Sequence, residues 1–400
     1  MIYIIIRKID PSYLIDELEK SGVSKESFEI FSRKVNYMIY KIYDLKPLTA
    51  NILKQEMLAA GGNAADAAVH RESITMKVDK TDVILMGNEN HYRKLIWKLG
   101  KMKYWDLPKL GKELKRILEE SKKQRFILLK NDERYDFDSL KIMGIINVTK
   151  DSFYPGSRKL NLKEILSTTS QMIENGVDII DVGGESTRPG AEPVELEEEL
   201  HKVVPAIKTI KENFDVLVSV DTYKAKVAAK AVEAGADIIN DISAMRFDSD
   251  MVEVAKDSGV PVVLMHIKGT PKNMQINPHY DDVIKELMEY FDERINYAIE
   301  KGISPEKIII DPGIGFGKRF EDNIEILKKI DSFKTFGKPV LIGASRKSMI
   351  GAILDGAPVE ERLEGTLAIS AWCFFRGVDI IRVHDVKENA RLIKTLKAFL

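Results

Sequence analysis

Residues 216–243, VLVSVDTYKAKVAAKAVEAGADIINDIS, decide the fold. A short apolar run ends at the polar pair Asp221–Thr222, and a helical pattern follows from Lys224 to Ala234. Gly235 stands where a helix C-cap belongs, and a second apolar run ends at Asn240–Asp241. Continuous apolar runs separated by helices describe parallel strands buried on both faces. Outward from this unit the same pattern recurs between Lys141 and Leu400, with the tips NVTKDSF, GGESTRPG, SVDT, NDIS, MHIKG, DPGIG, GASRK and RVHD. Eight such units close a (β/α)8 TIM barrel, whose chemistry sits at the carboxyl ends of the strands.

A chain of 400 residues exceeds what one core usually organises. The charged, aperiodic stretch NDERYDFDS (131–139) precedes the first barrel strand KIMGIINVT, so the expected domains are 1–135 and 136–400. Upstream, Ile2–Ile6, Asp82–Met86 and Phe126–Leu129 read as strands. Tyr13–Lys20, Ile52–Ala60, His91–Lys101 and Lys109–Lys122 read as amphipathic helices. The expected class is α/β, a barrel preceded by a small mixed α/β domain. LAAGGNAADAAVHRES in that domain lacks the spacing of a phosphate loop and reads as a helix end and turn; His70 and His91 read as surface or interface histidines.

Sixty-one basic against 62 acidic side chains give no global field toward nucleic acid or an acidic membrane, so neither is an expected partner. Cys373 stands alone in the apolar helix LAISAWCFFRG, which fits a structural thiol and a reducing, cytoplasmic location. MIYIII is too short to span a bilayer and is poor as a secretion signal.

The strand tips sort by chemistry. Asp221, Asn240 and Asp311 follow one another around the mouth and suit a flat heterocycle with several donors, which would satisfy otherwise costly buried polar groups. Asn147, Thr187, Arg188, Arg382 and His384 combine cations, hydroxyl and amide, and suit an anion such as pyrophosphate. GGESTRPG is turn-rich and reads as a lid loop. DPGIGFGK alternates glycines for close backbone approach but fails as a dinucleotide fingerprint, and GASRKS places Arg346, Lys347 and Ser348 ahead of a helix without forming a phosphate loop.

Taken together, MGIINVTKDSF, GGESTRPGA, SVDTYK, INDISA, LMHIKGTPKNMQ, DPGIGFGK, GASRKS and RVHDV resemble the dihydropteroate synthase family from about Lys141 to the C-terminus. The resemblance implies condensation of a dihydropterin methyl pyrophosphate with para-aminobenzoate, release of pyrophosphate, a magnesium ion and a homodimer. It implies that Asp221, Asn240, Asp311 and Lys347 hold the pterin, with Ile242 and Met265 lining its faces. Asn147, Arg382 and His384 would take the pyrophosphate, with Asn147 also at the Mg2+. Phe153, Thr187, Arg188, Pro189, Phe316, Lys347 and Ser348 would shape the arylamine pocket under two lid loops. Asp221, Lys347, Arg382 and His384 are the expected catalytic set.

Two positions depart from the family pattern, Lys150 in the first loop and Ile314 in DPGIGFGK. Two alternatives stay open at this point: a ribosylated aminobenzene as the acceptor, as in methanopterin synthesis, and a non-catalytic pterin-binding subunit.

Overall fold

The computed structural model describes Arg7, Pro11, residues 14–148 and residues 158–399. The expected strand Ile2–Ile6 and the loop with Lys150, Asp151 and Phe153 lie outside the described residues. The chain divides into two compact units, Met1–Lys123 and Gln124–Leu400.

Among the described residues the first unit holds a three-stranded antiparallel sheet in the order β1-β3-β2, formed by β1 (Tyr37–Leu45), β2 (Asp66–Val69) and β3 (Thr81–Asn88). Helices α1 (Leu14–Lys20), α2 (Phe28–Val35), α3 (Pro47–Gly61), α4 (Glu89–Lys101) and α5 (Leu107–Glu120) accompany it. Leu53, Met57, Val83, Leu85, Tyr92, Leu95 and Leu99 share one core, so the unit has its own apolar centre. Sequence reading missed α2, β1 and β2, and it mistook His91. That ring is buried in the first turn of α4, where Nδ1 accepts from Asn88 N–H at 3.2 Å and Asn88 Oδ1 accepts from His91 N–H at 3.2 Å, a reciprocal cap.

The second unit opens with a hairpin, β4 (Phe126–Leu128) and β5 (Arg134–Asp136). Eight parallel strands follow: β6 (Lys141–Asn147), β7 (Ile179–Gly183), β8 (Leu217–Asp221), β9 (Ile238–Asp241), β10 (Val262–Met265), β11 (Ile308–Asp311), β12 (Leu341–Ile342) and β13 (Ile380–Val383). They are hydrogen-bonded in the order β11-β10-β9-β8-β7-β6-β13-β12, and an Ile310–Val340 bridge closes the ring. Helices α6 (Arg158–Glu174), α7 (Leu196–Asn213), α8 (Ala225–Glu233), α9 (Met251–Ser258), α10 (Val283–Glu300), α11 (Phe320–Lys328), α12 (Ser348–Ile353), α13 (Leu363–Phe375) and α14 (Val386–Lys397) intervene. This is the expected barrel, with the expected mixed α/β unit before it.

Period-2 alternation sorts every strand. Ile142, Ile180, Val218, Ile239, Val262, Ile310, Ile342 and Ile381 point out to the helix layer and form the large core. Met143, Ile179, Ile238, Val263, Ile309, Leu341 and Ile380 point inward as the barrel floor, against Ile127, Leu129 and Phe137 of the hairpin segment. Two residues further along, the inward position is polar on five strands, as Asp181, Ser219, Asn240, Asp311 and Arg382, while β6, β10 and β12 place Ile145, Met265 and Gly343 there. The hairpin is thus a plug at the amino end of the strands, and Arg125 fixes it: its Nε donates to Asp379 at 2.7 Å and its Nη2 donates to Gly377 O at 2.7 Å.

Because Ile127 is fully buried in that floor, Ile127→Ala is expected to destabilise the barrel unit by about 2–5 kcal/mol. The check is the denaturant midpoint; one equal to that of wild type would show that the hairpin does not plug the barrel.

Candidate active site

The inward polar positions converge at the carboxyl end of the barrel. Neighbouring strands align Asn147 with Gly183, Gly183 with Asp221 and Asp221 with Asn240. Arg382, two residues beyond the floor residue Ile380, crosses the mouth. Its Nε donates to Asp181 Oδ2 at 2.5 Å and its Nη2 to Asp221 Oδ2 at 2.6 Å. Asn240 Nδ2 donates to the same Asp181 oxygen at 3.2 Å. One cation and one amide therefore hold β7, β8, β9 and β13 in a single network.

Burial pushes Asp221 up to about 7 even though the Arg382 cation opposes the rise; Asp181, Glu199 and Asp241 add to it. Asp311 is also raised by burial, against its Gly313 N–H bond of 2.7 Å and the cations Lys347, Lys318 and Arg382. Lys347 is lowered to about 8, first by burial of its ammonium. That ammonium donates to the Ile314 carbonyl and lies 4.4 Å from the Phe316 ring centroid. His384 is lowered, by loss of water around the ring and then by the Arg382 cation, with Arg188 adding to the effect; its Nδ1 is 3.0 Å from Ser345 Oγ.

Ile242 and Met265 are buried with Ile267 and Met274, and Tyr223, Phe247 and Phe316 pack on them, giving an apolar shelf beside the carboxylates. Of the remaining expected residues, Asn147 is exposed at the tip of β6 and Ser348 is exposed as the first residue of α12. Thr187 is half-buried, while Arg188 and Pro189 are exposed on the β7–α7 loop. Phe153 is outside the described residues. Arg346 is not an anion ligand: its guanidinium grips Asp385 bidentately at 2.8 Å and donates to Val359 O and Glu360 O.

Sequence reasoning gave no role to Asp181 or Lys318. Asp181 is fully buried, and its place two residues beyond the floor residue Ile179 was the available signal. Lys318, the last residue of DPGIGFGK, is buried, and its Nζ is 2.9 Å from His266 Nδ1, 2.8 Å from Gly313 O and 3.0 Å from Phe316 O. Burial holds its ammonium well below the usual lysine range. Gly313 at φ 68° and Gly317 at φ 63° let this loop turn tightly, since a Cβ would stand 2.0 Å from His266 O and 2.2 Å from Lys268 O.

The fold and mouth define a barrel enzyme that binds a flat polar heterocycle beside an anion. Residues 143–384 match the family model described as pterin binding enzyme. The chain is 49% identical over 254 residues to the dihydropteroate synthase of Clostridium beijerinckii, covering 63% of this chain and 91% of the relative. It is 45% identical over 265 residues to that of Escherichia coli, covering 66% and 93%. The Yersinia pestis dihydropteroate synthase, solved with a sulfonamide drug complex, superposes with a TM-score of 0.64 at 40% identity over 68% of this chain and 98% of that one. The Xanthomonas albilineans enzyme, solved with 4-aminobenzoic acid, gives 0.64 at 37% identity over 69% and 98%. The chain belongs to the pterin-binding enzyme family.

The sign of one pH effect follows from Asp221. Its folded value of about 7 stands above its ordinary 3.8, so its unfavourable contribution to stability grows as pH rises across that interval. Asp221→Asn is expected to gain stability relative to the unliganded wild type between pH 4 and about 7 and to keep a constant offset above it. Paired denaturation curves at pH 5 and pH 8 with equal offsets would contradict the assignment.

Proposed function

We infer that this chain is a dihydropteroate synthase of folate biosynthesis, a transferase that forms a C–N bond between 7,8-dihydropterin-6-ylmethyl pyrophosphate and para-aminobenzoate and releases pyrophosphate. The observation that carries the reading is the Asp181–Arg382–Asp221 bridge, which sets a cation for a leaving anion against a row of buried heterocycle partners. The pterin lies on the Ile242–Met265 shelf. Asp221, Asn240 and Asp311 meet its ring N–H and amino groups, and Lys347 donates to its ring carbonyl in place of Ile314 O. Two of the five Arg382 N–H donors are engaged by carboxylates, and the others face the pyrophosphate together with His384 and Asn147.

Departure of pyrophosphate with the C–O electron pair leaves a cation at the methylene carbon, delocalised into the pterin. Asp221 supports it electrostatically. The arylamine nitrogen then forms the C–N bond and gives up one proton. Such a path needs charge neutralisation and shielding from water more than an activated nucleophile. Thr187, Arg188, Pro189, Phe316 and Ser348 line the arylamine side. The 4-aminobenzoic acid with which the Xanthomonas relative was solved favours para-aminobenzoate over a ribosylated acceptor.

Among the described residues no three His, Cys, Asp or Glu side chains gather as a metal site. The exposed Asn147 offers one neutral hard oxygen, a donor type that fits a magnesium ion. Asn147 would hold it, and the ion would supply further charge neutralisation on the leaving group.

A homodimer through α13 fits the way that helix is laid down. It buries Thr366, Ser370 and Cys373 and exposes Trp372 (39%) and Phe375 (61%). No helix among the described residues is long and apolar enough to cross a membrane. For the domains, the plug contacts favour a catalytic unit beginning at Gln124 rather than at residue 136.

Purified protein given the pterin pyrophosphate and para-aminobenzoate is expected to release pyrophosphate in a magnesium-dependent manner. Lys347→Met or Arg382→Met should lower kcat/KM by about a hundredfold or more. No condensed product with any arylamine would sink the reading. Phe375→Glu is expected to shift light scattering from dimer to monomer with the fold intact, and an unchanged mass would place the contact elsewhere.

A further inference from the structure

Glu185 of GGESTRPG and Tyr223 and Lys224 of SVDTYK take no part in the chemistry above. Lys224 precedes α8, and its ammonium donates to Glu185 Oε2 at 2.5 Å, to Glu199 Oε2 at 2.5 Å and to Val194 O at 2.6 Å. Three N–H donors thus meet three acceptors. The two carboxylate side chains are 7% and 1% exposed, so these charge-assisted bonds are shielded from water. Glu185 also accepts from the Tyr223 hydroxyl at 2.8 Å and from Val194 N–H at 3.2 Å.

Glu185 and Val194 bracket the segment that bears Thr187, Arg188 and Pro189. The Lys224 ammonium therefore closes the base of that loop and ties it to α7 through Glu199. Nearer its tip the loop is held by Gly190 N–H to Pro271 O at 3.0 Å and by an exposed Lys272–Glu192 pair, and exposed pairs contribute little. The base carries the constraint. Tyr223 reaches the other way as well: its ring packs on the shelf of Ile242, Met265, Ile267 and Met274, with Phe247 edge-on at 5.5 Å. One side chain touches both the pterin shelf and the carboxylate at the loop base.

We propose that Lys224 and Glu185 are positioning residues that fix the Ser186–Pro189 loop for the arylamine, with Tyr223 as the strut linking that loop to the pterin shelf. The proposal rests on the dihydropteroate synthase reading. Loss of the ammonium would leave Glu185 and Glu199 as adjacent unpaired anions and open the loop base, and a displacement of about 1 Å at a positioned group costs on the order of a hundredfold in rate.

The experiment uses the full chain as wild type, Glu185→Gln, Lys224→Met, Lys224→Arg and Tyr223→Phe. Para-aminobenzoate is varied at saturating pterin pyrophosphate, pterin affinity is measured by calorimetry, and amide exchange is followed over 186–194 and over the barrel strands. Glu185→Gln and Lys224→Met are expected to raise KM for para-aminobenzoate about tenfold with kcat lowered less. Pterin Kd should stay within about twofold, and exchange over 186–194 should quicken about tenfold while strand exchange is unchanged. Lys224→Arg should recover most of the KM, and Tyr223→Phe should show a smaller rise of about threefold. If Lys224→Met does not fold, Glu185→Gln and Tyr223→Phe carry the comparison. Parallel losses of pterin affinity and strand protection, or loop exchange equal to wild type in Glu185→Gln, would overturn the proposal. A wild-type protein that makes no product defeats the functional reading alone, because loop exchange still decides whether the loop base is held this way.

Discussion

Arg382 bridging Asp181 and Asp221 is the contact on which the mouth depends. Each of the three side chains would be costly to place there alone, because a buried charge loses its hydration. Together they make a network in which one cation faces two anions, and burial, with the neighbouring carboxylates adding to it, holds Asp221 at about 7 against that cation. The network also crosses the barrel, since its members come from β7, β8 and β13, with Asn240 on β9 joined to Asp181. Removing the cation would therefore disturb four strands at once, whereas most tip residues answer only to their own loop.

That arrangement follows from where the alternation stops being apolar. Along β13, Ile380 faces the floor, Ile381 the helices, Arg382 the mouth and Val383 the helices again. A slip of one residue would bury Arg382 against the helix layer and put Ile381 in the mouth. The closed ring resists such a slip because each strand is hydrogen-bonded on both sides. Below the polar layer the hairpin plug covers the floor, so the polar residues have an exit to water at one end only. The site is a mouth rather than a channel for that reason.

The barrel was legible because its units are short, apolar and evenly punctuated, and because helix-terminal glycines mark several of the returns. The heterocycle partners were legible for the same reason: Asp221 and Asp311 end apolar runs and Asn240 nearly does, so their positions relative to the strand are fixed by period 2. Asp181 ends the same kind of apolar run, but its bond to Arg382 depends on strands 201 residues apart. Lys318 was invisible because a lysine after a glycine-rich turn reads as exposed, and only folding brings His266, Gly313 and Phe316 around it. The bidentate bond of Arg346 was equally invisible, since its partner Asp385 lies on the next strand tip. In the first unit, β1 was lost because YMIYKIYDL mixes alternation with charge, and β2 because DAAV is four residues of low strand preference.

The titrating groups also constrain the kind of chemistry. Cys373 is buried with its thiol pushed up to about 12, His384 is held neutral, and no serine stands within a hydrogen-bonded base–acid chain among the described residues other than Ser345 beside His384. The buried, raised Cys373 thiol is not an activated nucleophile. What the mouth does hold is opposed charge at short range: carboxylates at Asp181, Asp221 and Asp311 and cations at Arg382 and Lys347. A reaction that separates a leaving anion from a carbon cation uses that charge directly, because the cation-bearing carbon and the departing oxygen need opposite partners at the same moment. Lys347, lowered to about 8 and bonded among the described residues to a backbone carbonyl and a ring face, can move to a ligand at little electrostatic cost, whereas Arg382 cannot leave its carboxylates. The fixed cation therefore suits the leaving group, whose place must not shift during bond breaking, and the adaptable one suits the heterocycle, which must enter and leave with every turnover.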